Sequence, residues 1–144
     1  PRASGDTAMR LLASSLLVLL LLTGHQAARA EGEPDAFRAV IEAQLEAFRH
    51  DDGGAAFSFA SPTIRSLFGT PESFMAMVVQ GYPQIYRPRS VTFGAVVTYR
   101  GQPAQMVHLV GPKGETVTAY YQMQQQPDGS WKINGVFLEA ATTA

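Results

Sequence analysis

The periodicity of the apolar residues changes near Tyr82, and this change limits the possible folds more than any other feature of the sequence. Before Tyr82, apolar residues recur every three or four positions, as in amphipathic helices. After it they alternate with polar residues, as in half-buried strands. The sequence therefore predicts an α+β domain in which N-terminal helices pack on a curved four-stranded antiparallel sheet.

The helical part begins with the stretch Asp35 to Arg49. Its apolar residues form one stripe at helical spacing: Phe37, Val40, Ile41, Leu45 and Phe48. Polar residues occupy the other side, so we expect one face of this helix to cover the rest of the domain. A short helix over Gly54 to Ala60 is predicted to follow.

Two further helices carry start signals of the same kind. Ser61-Pro62 and Thr70-Pro71 each place a hydroxyl residue at the N-cap and a proline at the first helical position. Gly69 and Gly81 mark the expected ends. The next segment, Tyr82 to Pro88, is predicted to contain no regular helix, because each proline pushes its predecessor toward an extended conformation.

Four strands are predicted after this segment. Simple alternation places these residues of the first strand on one face: Val91, Phe93, Ala95, Val97 and Tyr99. The second and third strands are expected over Ala104 to Val110 and Thr116 to Gln125. The fourth, Trp131 to Leu138, contains Asn134-Gly135, which predicts a β-bulge. Short connections rich in glycine and proline favour an antiparallel meander.

A leader is predicted ahead of this domain. The apolar run over residues 11–22 has the length of the hydrophobic region of a signal peptide and is short of the ~20 residues that span a bilayer. Ala28-Arg29-Ala30 has the small-x-small pattern of a cleavage site, so we expect cleavage after Ala30 and a periplasmic or secreted product. The expected division is an overlong N-terminus plus signal peptide over 1–30, a loose mature N-terminus over 31–34, a single domain over 35–139 and a tail over 140–144.

Composition excludes several classes of function. The chain has no cysteine, which removes disulfides, thiol catalysis and cysteine-zinc sites. Residues 31–144 carry eight Lys and Arg against eleven Asp and Glu, so this part is acidic and does not predict nucleic-acid binding. His50 and His108 form no metal motif, and no glycine fingerprint for phosphates or dinucleotides is present. We therefore expect no metal, no cofactor and, after cleavage, no membrane contact.

Two stretches resemble the bacterial family DUF4864. The first includes Ala47 to Asp52, Phe57 to Ile64, Phe74 to Val78 and Gly81 to Pro83, and the second is Gly129 to Val136. The resemblance covers the chain from about Phe37 to Leu138. Helices followed by a long curved sheet also resemble the NTF2-like (cystatin-like α+β) superfamily, which implies a cone with space between helices and sheet. The family has no assigned activity, so the resemblance implies no catalytic residues.

Six residues are candidates for a ligand site: His108, Tyr82, Tyr86, Arg87, Tyr121 and Asp52. If the face of His108 lines the cone, its imidazole can act as an acid, a base or a ligand anchor. The alternative is a histidine on the outer face or hydrogen-bonded within the wall. The alternation along this strand does not show which of its faces lines the cone, because Val107 and Leu109 make the face opposite His108 equally apolar.

The other candidates also have two interpretations each. Tyr82, Tyr86 and Arg87 lie between the two halves, where they either bind an anionic or planar ligand or seal the core. Asp52 either forms a carboxylate pair with Asp51 or caps the short helix. The alternation of the third strand places Tyr121 on the side that faces the core, so we interpret its ring mainly as part of the core packing. A buried tyrosine hydroxyl would still need a hydrogen-bond partner.

Three functions are compatible with these patterns. We favour a non-catalytic accessory module that binds a small apolar or amphipathic molecule in the cone. The first alternative is a small acid–base enzyme of the isomerase, dehydratase or hydrolase type in the same space. The second is a homodimer through the outer sheet face, where Val96, Tyr120 and part of the strand Ala104 to Val110 leave apolar area uncovered. A cavity above roughly 300 Å³ favours binder or enzyme, whereas filling by aromatic side chains excludes both.

Overall fold

The computed structural model describes residues 24–141. Its elements are, in order, α1 Gly24–Arg49, α2 Gly53–Ser58, α3 Pro62–Phe68, α4 Pro71–Gly81, α5 Pro83–Tyr86, β1 Ser90–Tyr99, β2 Gln102–Val110, β3 Thr116–Gln125 and β4 Trp131–Ala140. The predicted α+β class is confirmed, since helices are followed by a four-stranded antiparallel sheet. The described residues from Pro34 onward form one compact unit. The run 11–22 and residues 142–144 of the tail lie outside the described residues, so the leader stays a prediction.

Helix α1 begins at Gly24, earlier than the expected start at Asp35. Residues 31–34 belong to this helix in the uncleaved chain, and the loose N-terminus expected after cleavage stays a prediction. The expected start rested on apolar periodicity, which starts only at Phe37, whereas the preceding turns contain several alanines, the residue of highest helix propensity. The buried apolar residues of α1 are Phe37, Ile41, Leu45, Ala47 and Phe48. They belong to a core shared with the sheet, in which Phe37 meets Trp131 edge-on at 4.7 Å between ring centroids.

The predicted starts of α3 and α4 are confirmed. The Ser61 hydroxyl accepts a hydrogen bond from the Ile64 N–H at 3.2 Å, and the Thr70 hydroxyl accepts one from the Ser73 N–H at 3.1 Å. Each cap satisfies a backbone donor that the first helical turn leaves without a partner. Helix α3 ends at Gly69, whose φ of +78° is readily adopted only by glycine.

The segment Tyr82 to Pro88 contains a short helix, α5, so the prediction that it holds no regular helix was wrong. Pro83 occupies the first helical position, where its fixed φ suits the helix and its missing N–H has no intrahelical partner to lose. The prediction considered only the effect of each proline on the residue before it. That effect is present at Arg87, which precedes Pro88 and ends the helix with φ −141° and ψ 64°.

The sheet is the expected meander, with strand order β1-β2-β3-β4 and antiparallel pairing throughout. Arg100 and Gly101 form the two-residue turn between β1 and β2, and both have positive φ, as type I′ hairpins require. The helix-facing side of β2 and β3 carries buried apolar residues: Val107, Leu109, Ala119, Tyr121 and Met123. The other side, turned away from the helices, is called the outer face below.

The predicted bulge in β4 is confirmed. Gln122 pairs with Gly135 and Met123 pairs with Ile133, so Asn134 has no partner in β3. The extra residue brings Val136 and Leu138 onto the same face as Ile133. This shift gives the helix-facing side of β4 its apolar composition.

Strand β1 contains a second bulge. Its register against β2 shifts between Phe93 and Val96, so Gly94 and Ala95 together oppose a single residue. The buried Gln105 supports the bulge, because its Nε2 donates to the Gly94 carbonyl at 2.8 Å. A glycine inside an otherwise regular strand pattern is a known signal of a bulge.

Because of this bulge, the prediction that the apolar residues of β1 share one face was wrong. Val91 and Phe93 lie on the helix-facing side, whereas Val97 and Tyr99 lie on the outer face. Val96 takes the helix-facing phase and not the outer one expected for it. Simple alternation fails here because one extra residue inverts every side chain that follows it.

Candidate functional site

A cavity of about 390 Å³ lies between the helices and strand β4. Helices α1, α3, α4 and α5 and strand β4 all contribute to its walls. Its apolar wall includes Phe48, Ile64, Phe68, Phe74, Val78 and Ile133. Phe48 and Phe74 belong to the buried core and border the cavity without filling it. The volume falls in the range of small-molecule sites, roughly 300–1,000 Å³.

Hydrogen bonds between β4 and the segment preceding α3 position one wall of the cavity. The Ser61 N–H donates to the Ile133 carbonyl at 2.8 Å, and the Ile133 N–H donates to the Phe59 carbonyl at 2.9 Å. The Ser61 hydroxyl donates to Oδ1 of the bulge residue Asn134 at 2.8 Å. Helix α3 itself has no buried residue, and its Leu67 is 72% exposed where the cavity reaches the surface.

Gln44 supplies a buried polar group to the cavity wall. Its side chain is on the apolar face of α1, is 3% exposed and donates from Nε2 to the Ala56 carbonyl at 3.1 Å. A carbonyl only accepts, so this bond fixes which end of the amide points to Ala56. Gln44 Oε1 has no hydrogen bond among the described residues and is therefore available as an acceptor.

The wall of this cavity is uncharged. Of the residues that line it in the described part of the chain, none is Asp, Glu, His, Lys or Arg. Its polar members are Gln44, Asn134 and Tyr82. The Asn134 amide is already engaged, because Oδ1 accepts from Ser61 and Nδ2 donates to Gln102 Oε1 at 3.3 Å. The arrangement can bury apolar groups and meet one or two neutral polar atoms.

Tyr86 and Arg87 form a cluster with Asp51 at the end of α1, away from the cavity wall. Arg87 Nη1 donates to the Phe48 carbonyl at 2.6 Å, and Nη2 lies 3.1 Å from Asp51 Oδ2. The guanidinium stacks on the Tyr86 ring at 3.9 Å, and the Tyr86 hydroxyl donates to Asp51. That hydroxyl, helped by Arg87, holds the pKa of the Asp51 carboxyl below its usual value. The cluster ties the segment before β1 to the C-terminus of α1, where a cation is favourable.

Asp52 and His108 lie apart from the cavity as well. Asp52 is the N-cap of α2 and accepts from the Ala55 N–H at 3.0 Å, as the capping interpretation described. His108 is exposed on the outer face, with Nδ1 3.1 Å from the Thr118 hydroxyl. Gly94 gives the ring its space, since a Cβ at that position would lie 2.9 Å from His108 Nε2.

Tyr121 is completely buried on the helix-facing side of β3. Its hydroxyl has no hydrogen-bond partner among the described residues, and burial raises the pKa of this phenol well above its usual value. Tyr121 does not line the cavity, so of the six candidate residues only Tyr82 does.

Gln44 and Asn134 line the cavity but were not among the residues predicted for the site. A signal for Gln44 was present, because it interrupts the apolar face of α1 between Ile41 and Phe48 at helical spacing. Asn134 was recognised only as part of a bulge. Its place in the wall depends on the pairing with Ser61, which is 73 positions away in the sequence.

Comparisons with known proteins identify a family and no function. The family model DUF4864, a domain of unknown function, matches residues 30–144. No curated protein and no solved structure matches the chain. Within residues 24–141, no group of three or more His, Cys, Asp or Glu is placed to hold a metal ion. No helix in that range has the length and hydropathy needed to cross a membrane.

Proposed function

The chain belongs to the DUF4864 family, and we propose that it is a non-catalytic accessory module that binds a small apolar or amphipathic molecule in the cavity beside β4. The observation that carries the proposal is the cavity of about 390 Å³, whose wall is mostly apolar and which reaches the surface beside Leu67. A bound apolar molecule would remove this apolar wall from water, which is the main favourable term in the binding of such ligands.

The composition of the wall supports a binder over the alternative of an acid–base enzyme. Proton transfer needs a titratable group within hydrogen-bond reach of the reacting atom. Among the described lining residues, the only titratable side chain is that of Tyr82, and the other polar groups are amides. His108, the candidate acid or base, is on the outer face.

The outer face gives less support to the dimer alternative. Its aromatic side chains pack on each other, with the rings of Tyr99 and Tyr120 stacked at 4.2 Å and those of Tyr99 and Phe137 5.5 Å apart. The Arg100 guanidinium covers the Phe137 ring at 4.3 Å. A homodimer through this face stays a prediction, and sedimentation equilibrium of the purified protein would test it.

We also propose that the fold is NTF2-like and that the protein is exported. The helices followed by a four-stranded meander with bulges in two strands support the first statement, and the apolar run 11–22 with Ala28-Arg29-Ala30 supports the second. Mass spectrometry of the protein recovered from the periplasm or the medium should find Glu31 at its N-terminus. A retained leader would contradict export by this route.

The uncharged fluorophore N-phenyl-1-naphthylamine tests the binding proposal. Its emission should rise in the presence of the protein, because it moves from water into an apolar site. Met77→Trp introduces a larger side chain into the cavity wall, whereas Val79→Trp makes the control change on the same helix at a 43% exposed position outside that wall. We expect Met77→Trp to weaken binding at least tenfold and Val79→Trp to leave it unchanged. Both variants should keep the circular dichroism of the wild type. Equal binding by the two variants, or no binding by the wild type, would contradict the proposal.

A further inference from the structure

We infer that the cavity beside β4 selects uncharged amphipathic molecules of the long-chain alcohol class and rejects carboxylates and amines of the same chain length. This inference rests on the proposed function and names the chemistry of its ligand. It depends on two features of the wall: the lack of charge among its described residues and the available acceptor on Gln44.

A buried ion needs a partner of opposite charge, since removing an unpaired ion from water is very unfavourable. The cationic residues close in sequence to lining residues do not supply one. Arg49 pairs with Glu46 at 3.0 Å, and Lys132 Nζ donates to the Ser58 carbonyl at 2.9 Å. Arg87 is held by the Phe48 carbonyl and the Asp51 carboxylate. Arg65, on α3, lines a different hollow, formed with Phe57 and Gly69. A carboxylate in the cavity would therefore lose its hydration and gain no cation.

Gln44 adds a directional preference. One N–H of its Nε2 donates to the Ala56 carbonyl, and its Oε1 is an acceptor in a residue that lines the cavity. A hydroxyl can donate to this oxygen. A carboxylate has only acceptors and would face Oε1 with like partial charge, so the polar group that favours an alcohol disfavours an acid. An ammonium group can donate to Oε1, but its positive charge would have no counter-ion among the described wall residues.

The test is displacement of N-phenyl-1-naphthylamine from the wild-type protein at pH 8 by 1-decanol, decanoate and decylammonium, each below its aggregation concentration. The three competitors share one chain length, so the apolar contribution to binding is matched. We expect 1-decanol to displace the fluorophore at a concentration at least tenfold lower than either ion. Decanoate or decylammonium within threefold of 1-decanol would overturn the inference while leaving the proposed function intact. Failure of the fluorophore itself to bind would count against the proposed function instead.

A variant isolates the role of Gln44. Gln44→Met keeps a side chain of similar length and removes the acceptor, so the affinity for 1-decanol should fall about two- to tenfold, the effect of one hydrogen bond. The affinity for N-phenyl-1-naphthylamine should stay within twofold, since the apolar walls are unchanged. If Gln44→Met changes neither the affinity for 1-decanol nor the preference for 1-decanol over decanoate, Gln44 does not contribute to the selection. If this variant does not fold, the three-ligand comparison on the wild type still decides the inference.

Discussion

Replacing Tyr121 by phenylalanine should stabilise the protein, although it removes a polar group from a core residue. The ring is completely buried, and its hydroxyl has no hydrogen-bond partner among the described residues. A buried polar group without a partner costs about 1–3 kcal/mol, because it has lost water and gained nothing in exchange. Tyr121→Phe keeps the ring and removes only this penalty.

The expected gain in the free energy of unfolding is the relieved penalty of the unpartnered hydroxyl minus the cost of the void that its removal leaves. Removing the hydroxyl leaves a void on the order of 10 Å³, which costs about 0.2 kcal/mol at ~24 cal/mol per Å³. The net change is therefore a stabilisation of about 1 kcal/mol or more. For a domain of this size, that difference raises the melting temperature by roughly 4–6 °C.

The pH dependence of the same variant gives a second readout. Because the pKa of Tyr121 in the folded state lies above its unfolded value, the wild type loses stability as the pH rises above about 10, where the unfolded chain ionises first. Tyr121→Phe cannot ionise there. The advantage of the variant should therefore grow between pH 10 and pH 11.

Urea unfolding of both proteins, followed by circular dichroism at pH 7 and at high pH, measures these differences. Tyr120→Phe is the matched control, since Tyr120 is the next residue on β3, faces the other side and is only half-buried. It should give no stabilisation. A Tyr121→Phe variant less stable than the wild type by 1 kcal/mol or more would refute the reasoning, because the hydroxyl would then have a partner.

Three further predictions test the local structure around the candidate residues. Asp52→Ala should destabilise the protein by about 1 kcal/mol through loss of the α2 cap, while Asp52→Asn should be nearly neutral. If urea unfolding shows that both variants lose the same free energy of unfolding, the capping role is contradicted. Gly94→Ala should cost about 1 kcal/mol because its Cβ meets the His108 ring and the Met106 Cβ, and the cost should fall when His108→Ala is added. The same cost with and without His108 in this double-mutant cycle would contradict the contact with His108. The lowered pKa of Asp51 means that its stabilising contribution is present above pH ~4 and is lost as the pH falls through its folded value. Asp51→Asn should accordingly flatten the acid limb of the stability profile, and an unchanged limb would count against the cluster with Tyr86.

The parts of the fold that the sequence predicts well are those decided by local chemistry. The helix starts at Ser61 and Thr70 follow from a hydroxyl next to a proline, and both interactions span only three residues. The bulge at Asn134 is similarly marked by the residues that form it. The bulge at Gly94 and Ala95 had a weaker signal, a single glycine, and alternation alone therefore placed Val97 and Tyr99 on the wrong face.

The candidate site is less predictable because distant segments build it. Its wall joins α1, α3, α4, α5 and β4, and their relative positions depend on long-range contacts such as that between Ser61 and Asn134. Tyr82 was named from its position between the two halves, and it lines the cavity. His108 was named from its chemistry, but both faces of β2 carry apolar residues, so only the structure assigns it to the outer face.

The location of the ligand can be measured with isoleucine methyl groups. The chain has four isoleucines, of which Ile64, Ile85 and Ile133 line the cavity and Ile41 lies in the core outside it. Protein labelled at these methyls and saturated with 1-decanol should give nuclear Overhauser effects from the ligand chain to Ile64, Ile85 and Ile133, and none to Ile41. The claim that the space beside β4 is the binding site would be contradicted if the bound ligand gave nuclear Overhauser effects only to other groups of the protein, or gave no such effects.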